Sequence, residues 1–343
     1  MMFHNREAWQ IENRGLRVTV LRGGGHIAEV LDKRTGISPL WVPPWPSIDP
    51  AEYNPDRDSC YGQNDESRLL SGIMGHNLCL DTFGPPSKEQ LRAGISVHGE
   101  ASVARYEGDV YEEGLHLHSM LKFSQLRVTR SIRLDANSPR VHIRESVENF
   151  APIPRYIAWT QHVSLGPPFL VPGETQLLIH ALRSRVYEAD GFDAGELMRG
   201  ADFNWPKAPT ILQGTSDLST FACGGRSASF TTHVLDRSVD AIFFTVFSPQ
   251  YQLAFGYEWN PKDFPWIGIW EENKSRTAAP WCGKTVACGM EFGVSPFPEA
   301  NAQMIQRGQL FNVPTFRMLK AREQVSVQYS AFFAPATGLG AHR

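Results

Sequence analysis

The sequence predicts an all-β protein built as a large antiparallel β-sandwich, one domain running through residues 1–343. Three observations predict it. Apolar and polar residues alternate with period two in many short runs, turn-forming residues separate those runs, and helical periodicity is sparse. Period-two alternation sends one side chain into a core and the next toward solvent, the pattern of an antiparallel sheet.

In chain order, the first run is Leu16–Leu21, closed by Gly23, Gly24 and Gly25. Residues 115–123 alternate through their first half, and Leu126–Leu134 repeats the pattern. Residues 141–147 repeat it again after Asp135, Asn137, Ser138 and Pro139, residue types that favour turns. Residues 241–247 are nearly continuously apolar, as a strand covered on both faces should be, and residues 325–333 alternate again. The best helix signal covers residues 299–306, with Pro298 and Glu299 at its start and Gly308 just beyond. The segment 41–63 is rich in Pro, Asp and Asn but carries large aromatics, so it is expected to be an ordered loop and not a domain boundary.

Composition sets the outer limits. At 42% hydrophobic and 20% charged residues the chain can bury a substantial core. A net charge of −3 argues against an electrostatic grip on nucleic acid or on an anionic membrane. The first seven residues lack the basic-then-apolar pattern of a signal peptide, and no apolar run approaches membrane-spanning length. Cys60, Cys79, Cys223, Cys282 and Cys288 form an odd, scattered set, read as reduced thiols, so the expected location is the cytoplasm.

Several motifs have a structural reading that outweighs the functional one. The glycine triplet lacks the spaced glycines and the Lys-Ser/Thr of a phosphate cradle, and is expected to be a turn between strands. Asn54, Asp56 and Asp58 alternate like calcium ligands, but Ser59 stands where the loop needs glycine and Asp65 where it needs glutamate. His116 and His118 would share a strand face without an identifiable third ligand, and Cys282 and Cys288 lack paired zinc-ligand spacing. No metal is expected.

Three positions differ in kind. His98 precedes a glycine that lets backbone and ligand approach closely. His162 lies in an aromatic-flanked segment, Trp159 to Phe169, that ends in a turn. Glu291 is a carboxylate inside an otherwise apolar strand-like run, where burial would raise its pKa toward that of a useful base.

With the run from Arg22 to Val30, the His98-Gly99 pair, the stretch from Leu126 through Asn149 to His162, and Gly289-Met290-Glu291 with Pro296 after it, the chain resembles the aldose 1-epimerase (galactose mutarotase-like) family. The landmarks stand in family order over most of the chain, although Phe292 and Gly293 replace a more polar continuation after the glutamate. The resemblance implies a galactose mutarotase-like β-supersandwich that binds a monosaccharide or sugar derivative without a cofactor. It also implies an isomerase that interconverts sugar anomers, with Glu291 as base, His162 as acid and His98 as a hydrogen-bonding partner of the sugar. Such a reaction moves two protons at neutral pH, which suits one carboxylate and one imidazole.

A sugar also needs flat apolar surfaces and fixed polar groups. Trp159 and Trp270 are candidates for the first, and His76, Asn77 and Glu271 for the second. Two other functions compete: a carbohydrate-binding protein without catalysis, and a carbohydrate-cleaving hydrolase or lyase with Glu100 or Glu271 as a second carboxylate.

Overall fold

In the computed structural model, which describes residues 1–189, 195–222 and 224–335, the alternating runs pair into two large antiparallel sheets. The larger sheet runs Met2–Phe3, Arg6–Glu12, Leu16–Leu21, Ile27–Asp32, His76–Asp81, Arg155–Leu165, Val286–Gly293, Trp266–Asn273, Ser227–Leu235, Ala181–Val186, Asp202–Phe203. The smaller runs Gln176–Leu178, Ile242–Ser248, Leu253–Trp259, Gln324–Pro335, Arg140–Asn149, Leu126–Leu134, Gly114–Leu121, Glu107–Tyr111. Both sheets draw strands from both halves of the chain.

The expected strands are present. Leu16–Leu21 and Leu126–Leu134 have the bounds the alternation gives, and the runs at 115–123, 141–147, 241–247 and 325–333 fall on strands of the smaller sheet. The helix is Asn301–Arg307, two residues later than expected at its start, because the Gln303 side chain caps the backbone N–H of Ala300. Gly24 and Gly25 take positive φ in the turn between Leu16–Leu21 and Ile27–Asp32. Trp41 and Trp45 anchor the 41–63 segment against Trp281, with ring centroids 6.1 and 5.1 Å from it. Cys60, Cys79, Cys282 and Cys288 are unbridged; Cys223 lies outside the described residues. Among the described residues no helix is long and apolar enough to cross a membrane.

The central strands of the larger sheet are covered twice. One face packs on the smaller sheet through Leu78, Leu80, Trp159, Val163, Ile267, Ile269, Met290 and Phe292. The other face is roofed by loops and makes a second apolar cluster, in which Cys79, Ala158, Phe230, Trp266 and Trp270 meet Trp41, Leu69, Leu70, Phe83 and Trp281. All six residues of His76–Asp81 are buried, although Asn77 and Asp81 lie on its loop-covered face.

Between the sheets lies a buried polar network. Arg130 and Glu145 form an ion pair at 2.5 Å, with side chains 1% and 0% exposed. Glu145 Oε1 also accepts from Trp159 Nε1 at 2.6 Å and from Gln161 Nε2 at 2.7 Å. Gln161 Oε1 accepts from Tyr329 at 2.9 Å and lies 2.9 Å from His76 Nε2, whose Nδ1 is 3.0 Å from the Tyr257 hydroxyl. Arg130 Nη1 donates to the Gly25 carbonyl at 3.0 Å. Removing two charges from water costs several kcal/mol per ion, and the pair is tolerable because its oxygens and protons find partners.

Candidate active site

Antiparallel register builds the site. His162 stands opposite Asn77 on one neighbouring strand and opposite Glu291 on the other, and Glu291 in turn stands opposite Gly268. Directly opposed residues share a face. Asn77, His162 and Glu291 therefore form one row across the loop-covered face of the larger sheet.

Within that row His162 Nε2 lies 3.1 Å from Glu291 Oε1, and His162 Nδ1 lies 3.1 Å from the Ser164 hydroxyl. Both side chains of the couple are almost wholly buried, at 6% and 2% exposure. Burial disfavours charge on each. It holds the Glu291 carboxyl well above the usual carboxylate range and pushes the His162 imidazole down to about 4. One proton shared between the two groups would leave the couple net neutral, and it can be written on either partner.

His98 is delivered from a different direction. It sits on a loop in left-handed backbone, φ 66°, followed by Gly99 at φ 82°, where a Cβ would stand 2.0 Å from the Leu80 carbonyl oxygen. Its ring centroid is 4.8 Å from that of His162. Burial, followed by the neighbouring His162, keeps its imidazole well below its ordinary pKa, and hence neutral.

Above the couple opens a cavity of about 730 Å³, lined by His98, His162 and Glu291. Aromatic walls flank it. Trp270 lies 5.9 Å from the His162 ring and 6.1 Å from Trp281 on one side. Phe83 lies 6.4 Å from His98 and 6.2 Å from Phe230 on the other, with Tyr187 5.9 Å beyond Phe230. Arg276 lies at the mouth, 3.2 Å from Glu66 and 4.7 Å over the Trp281 ring.

The structure thus brings His98, His162, Glu291 and Trp270 to one cavity. It does not bring the other expected contacts there. Trp159 and His76 point to the opposite face, into the polar network between the sheets. Glu271 also faces away from Trp270 and accepts from the Ser227 hydroxyl. Glu100 accepts from the backbone N–H groups of Phe123 and Ser124 at 3.0 and 2.9 Å, fixing a turn. Asn77 is fully buried beneath His98 instead of lining the cavity. His116 and His118 are exposed on the smaller sheet, and among the described residues no three His, Cys, Asp or Glu side chains are placed to hold a metal ion.

Phe83, Phe230, Trp281 and Arg276 were missed by sequence reasoning. Their places depend on strand pairing and loop paths, and none sits beside a titratable motif. Gly289 and Gly268 are also part of the site: added Cβ atoms would stand 2.2 Å from Glu291 Oε1 and 2.5 Å from the Phe230 ring. These two hollows let the carboxylate and the ring lie flat on the sheet. Gly289→Ala is therefore expected to keep the melting temperature within a few degrees, because a flexible side-chain end can yield. Displacing the carboxylate by about an ångström should still lower any catalytic rate roughly a hundredfold. Thermal melts and turnover measured on one preparation check both halves.

No family model and no curated protein matches the chain. Solved structures do. A candidate aldose 1-epimerase from Klebsiella pneumoniae matches with a TM-score of 0.69 at 13% identity, over 98% of this chain and 82% of that one. A candidate aldose 1-epimerase from Escherichia coli K12 gives 0.63 at 12% identity, over 96% and 99%. A galactose mutarotase-like protein from Clostridium acetobutylicum gives 0.61 at 12% identity, over 98% and 97%. At such identities the likeness is one of fold, and the chain has the galactose mutarotase-like fold.

Proposed function

We propose that the protein is an aldose 1-epimerase-like isomerase that interconverts the anomers of a sugar. The observation that carries the reading is the His162–Glu291 contact at the floor of an aromatic-walled cavity. Mutarotation begins with loss of the anomeric hydroxyl proton and gain of a proton at the ring oxygen. Those two oxygens share one carbon, so a base and an acid that touch each other can reach both.

The couple's shared proton fits this cycle. In the ion-pair form, Glu291 carboxylate accepts the hydroxyl proton while His162 imidazolium donates to the ring oxygen, and the C1–ring oxygen bond breaks. The result is the neutral form of the couple and an open-chain aldehyde. Rotation about the bond from C1 to its neighbouring carbon and reversal of the two transfers give either anomer and restore the couple. Burial favours the neutral form, so the couple's own proton balance helps the ring-opening direction. Trp270 and Phe83 offer faces for the sugar's C–H surfaces.

Cleavage of a glycosidic bond is less well served. The carboxylates suggested for it, Glu100 and Glu271, lie elsewhere. Two that line the cavity, Glu66 and Glu299, are engaged with Arg276 and Arg307 at 3.2 and 3.0 Å.

Anomeric-exchange NMR across a panel of free sugars tests the proposal. At least one sugar should exchange faster with the protein than in buffer, and His162→Asn should cut that rate about a hundredfold or more while leaving sugar binding measurable. Buffer-level exchange for every sugar, with binding intact, would leave a non-catalytic carbohydrate-binding protein as the better reading.

A further inference from the structure

His98 borders the cavity, yet which of its ring nitrogens carries the proton decides whether it can donate a hydrogen bond there. The answer lies beneath it. Asn77 Nδ2 lies 3.2 Å from His98 Nδ1, so the amide donates and Nδ1 accepts. In a neutral imidazole one nitrogen accepts and the other bears the hydrogen. His98 Nε2 then carries N–H, which has no hydrogen-bond partner among the described residues.

Two further observations suggest that this arrangement is retained for more than stability. Asn77 is fully buried, and its Oδ1 has no hydrogen-bond partner. A buried acceptor left unpaired is costly, and a leucine in the same place would carry no such penalty. His98 itself occupies left-handed backbone, which non-glycine residues rarely adopt, and Gly99 behind it has no room for a Cβ against Leu80. Two unfavourable features meet at one contact, and that contact fixes one ring.

We propose that Asn77 is a positioning residue that locks His98 in the tautomer with hydrogen on Nε2, making His98 a hydrogen-bond donor to a sugar oxygen beside the His162–Glu291 couple. Asn77 acts through His98 and does not touch the sugar. The sugar part of this rests on the function proposed above, whereas the tautomer does not.

The test is a long-range ¹H–¹⁵N spectrum of the imidazoles in uniformly ¹⁵N-labelled full-length protein, without sugar, with His98 assigned by loss of its signals in His98→Gln. Wild type should show the Nε2–H pattern. Asn77→Asp, whose carboxylate can only accept, should move His98 to the Nδ1–H or imidazolium pattern. Where His98 moves to the Nδ1–H pattern and Nε2 is left bare, the variant should also raise KM for the exchanging sugar three- to tenfold more than it lowers kcat, the loss of roughly one neutral hydrogen bond. A purely structural Asn77 would show a lowered melting temperature with the tautomer unchanged in Asn77→Asp, and that result overturns the proposal. An Nδ1–H pattern for His98 in wild type overturns it outright, even if Asn77→Asp does not fold. If no sugar exchanges but the tautomers behave as stated, the positioning role stands and the isomerase reading fails.

Discussion

Glu291→Gln is expected to abolish most of the proposed anomeric exchange while leaving the protein folded and, at mildly alkaline pH, more stable than wild type. The loss follows from chemistry. A carboxamide fills the same space opposite His162 but cannot take the hydroxyl proton, and loss of a general base typically costs 10²–10⁴-fold. The gain follows from linkage. Burial raises the Glu291 carboxyl pKa in the folded protein above its unfolded value, so the folded state binds this proton more tightly. That contribution is fully present below the unfolded carboxyl pKa of about 4.3 and is lost as pH rises through the folded value. Glutamine never ionises and does not lose it. Melting temperatures of the two proteins should therefore lie close together in acid and diverge with rising pH, glutamine above glutamate. Parallel melting curves over the whole range would mean that Glu291 is not held above its ordinary pKa, and the proton bookkeeping of the couple would need rewriting.

Glu145→Gln is the substitution expected to damage stability most. It strands the Arg130 guanidinium, 1% exposed and unable to shed its charge, in the core between the sheets. Removing one partner of a buried pair costs about 3–5 kcal/mol, a fall of roughly 4–7 °C in melting temperature for a chain of this size. The exchange also leaves one acceptor oxygen for two sets of donors, Trp159 Nε1 and Gln161 Nε2 at Oε1 and Arg130 with the Tyr329 hydroxyl at Oε2. Arg130→Met combined with Glu145→Gln should recover much of the loss, since the stranded charge is then gone. Chemical denaturation of both single variants and the double variant measures the coupling directly. A double variant no better than Glu145→Gln alone would show that the carboxylate's bonds to Trp159 and Gln161, and not the ion pair, account for the cost.

What the sequence disclosed depended on where solvent touched the strand. Leu126–Leu134 is visible from alternation because one side of the strand is more open than the other, whereas Leu16–Leu21 alternates although only Arg17 escapes burial. His76–Asp81 and Trp266–Asn273 are nearly invisible because loops cover the side that would have been polar. His98, His162 and Glu291 stood out as polar groups in apolar or glycine-marked surroundings, and they meet at one cavity. Of the misplaced expectations, His76, Glu271 and Trp159 share one error of parity. Along a strand only even separations stay on one face. His76 cannot accompany Asn77, Glu271 cannot accompany Trp270, and Trp159, three residues from His162, must face the core. That rule was available from the sequence once the strands were granted. The positions of Phe83, Trp281 and Arg276 were not, because loops carry them to the cavity along paths that local pattern does not encode.

The pairing of His162 with Glu291 across two strands far apart in the chain also makes the couple a verification mark for folding. A slip of one residue between Arg155–Leu165 and Val286–Gly293 would send one partner into the core and leave the other outside; a slip of two would keep both outside but separate them by about 7 Å. Either product could keep its strand content and its circular dichroism. Neither could make the contact. Turnover recovered after refolding would therefore count only molecules whose central strands had found their correct alignment, a stricter census than any spectroscopic measure of β structure.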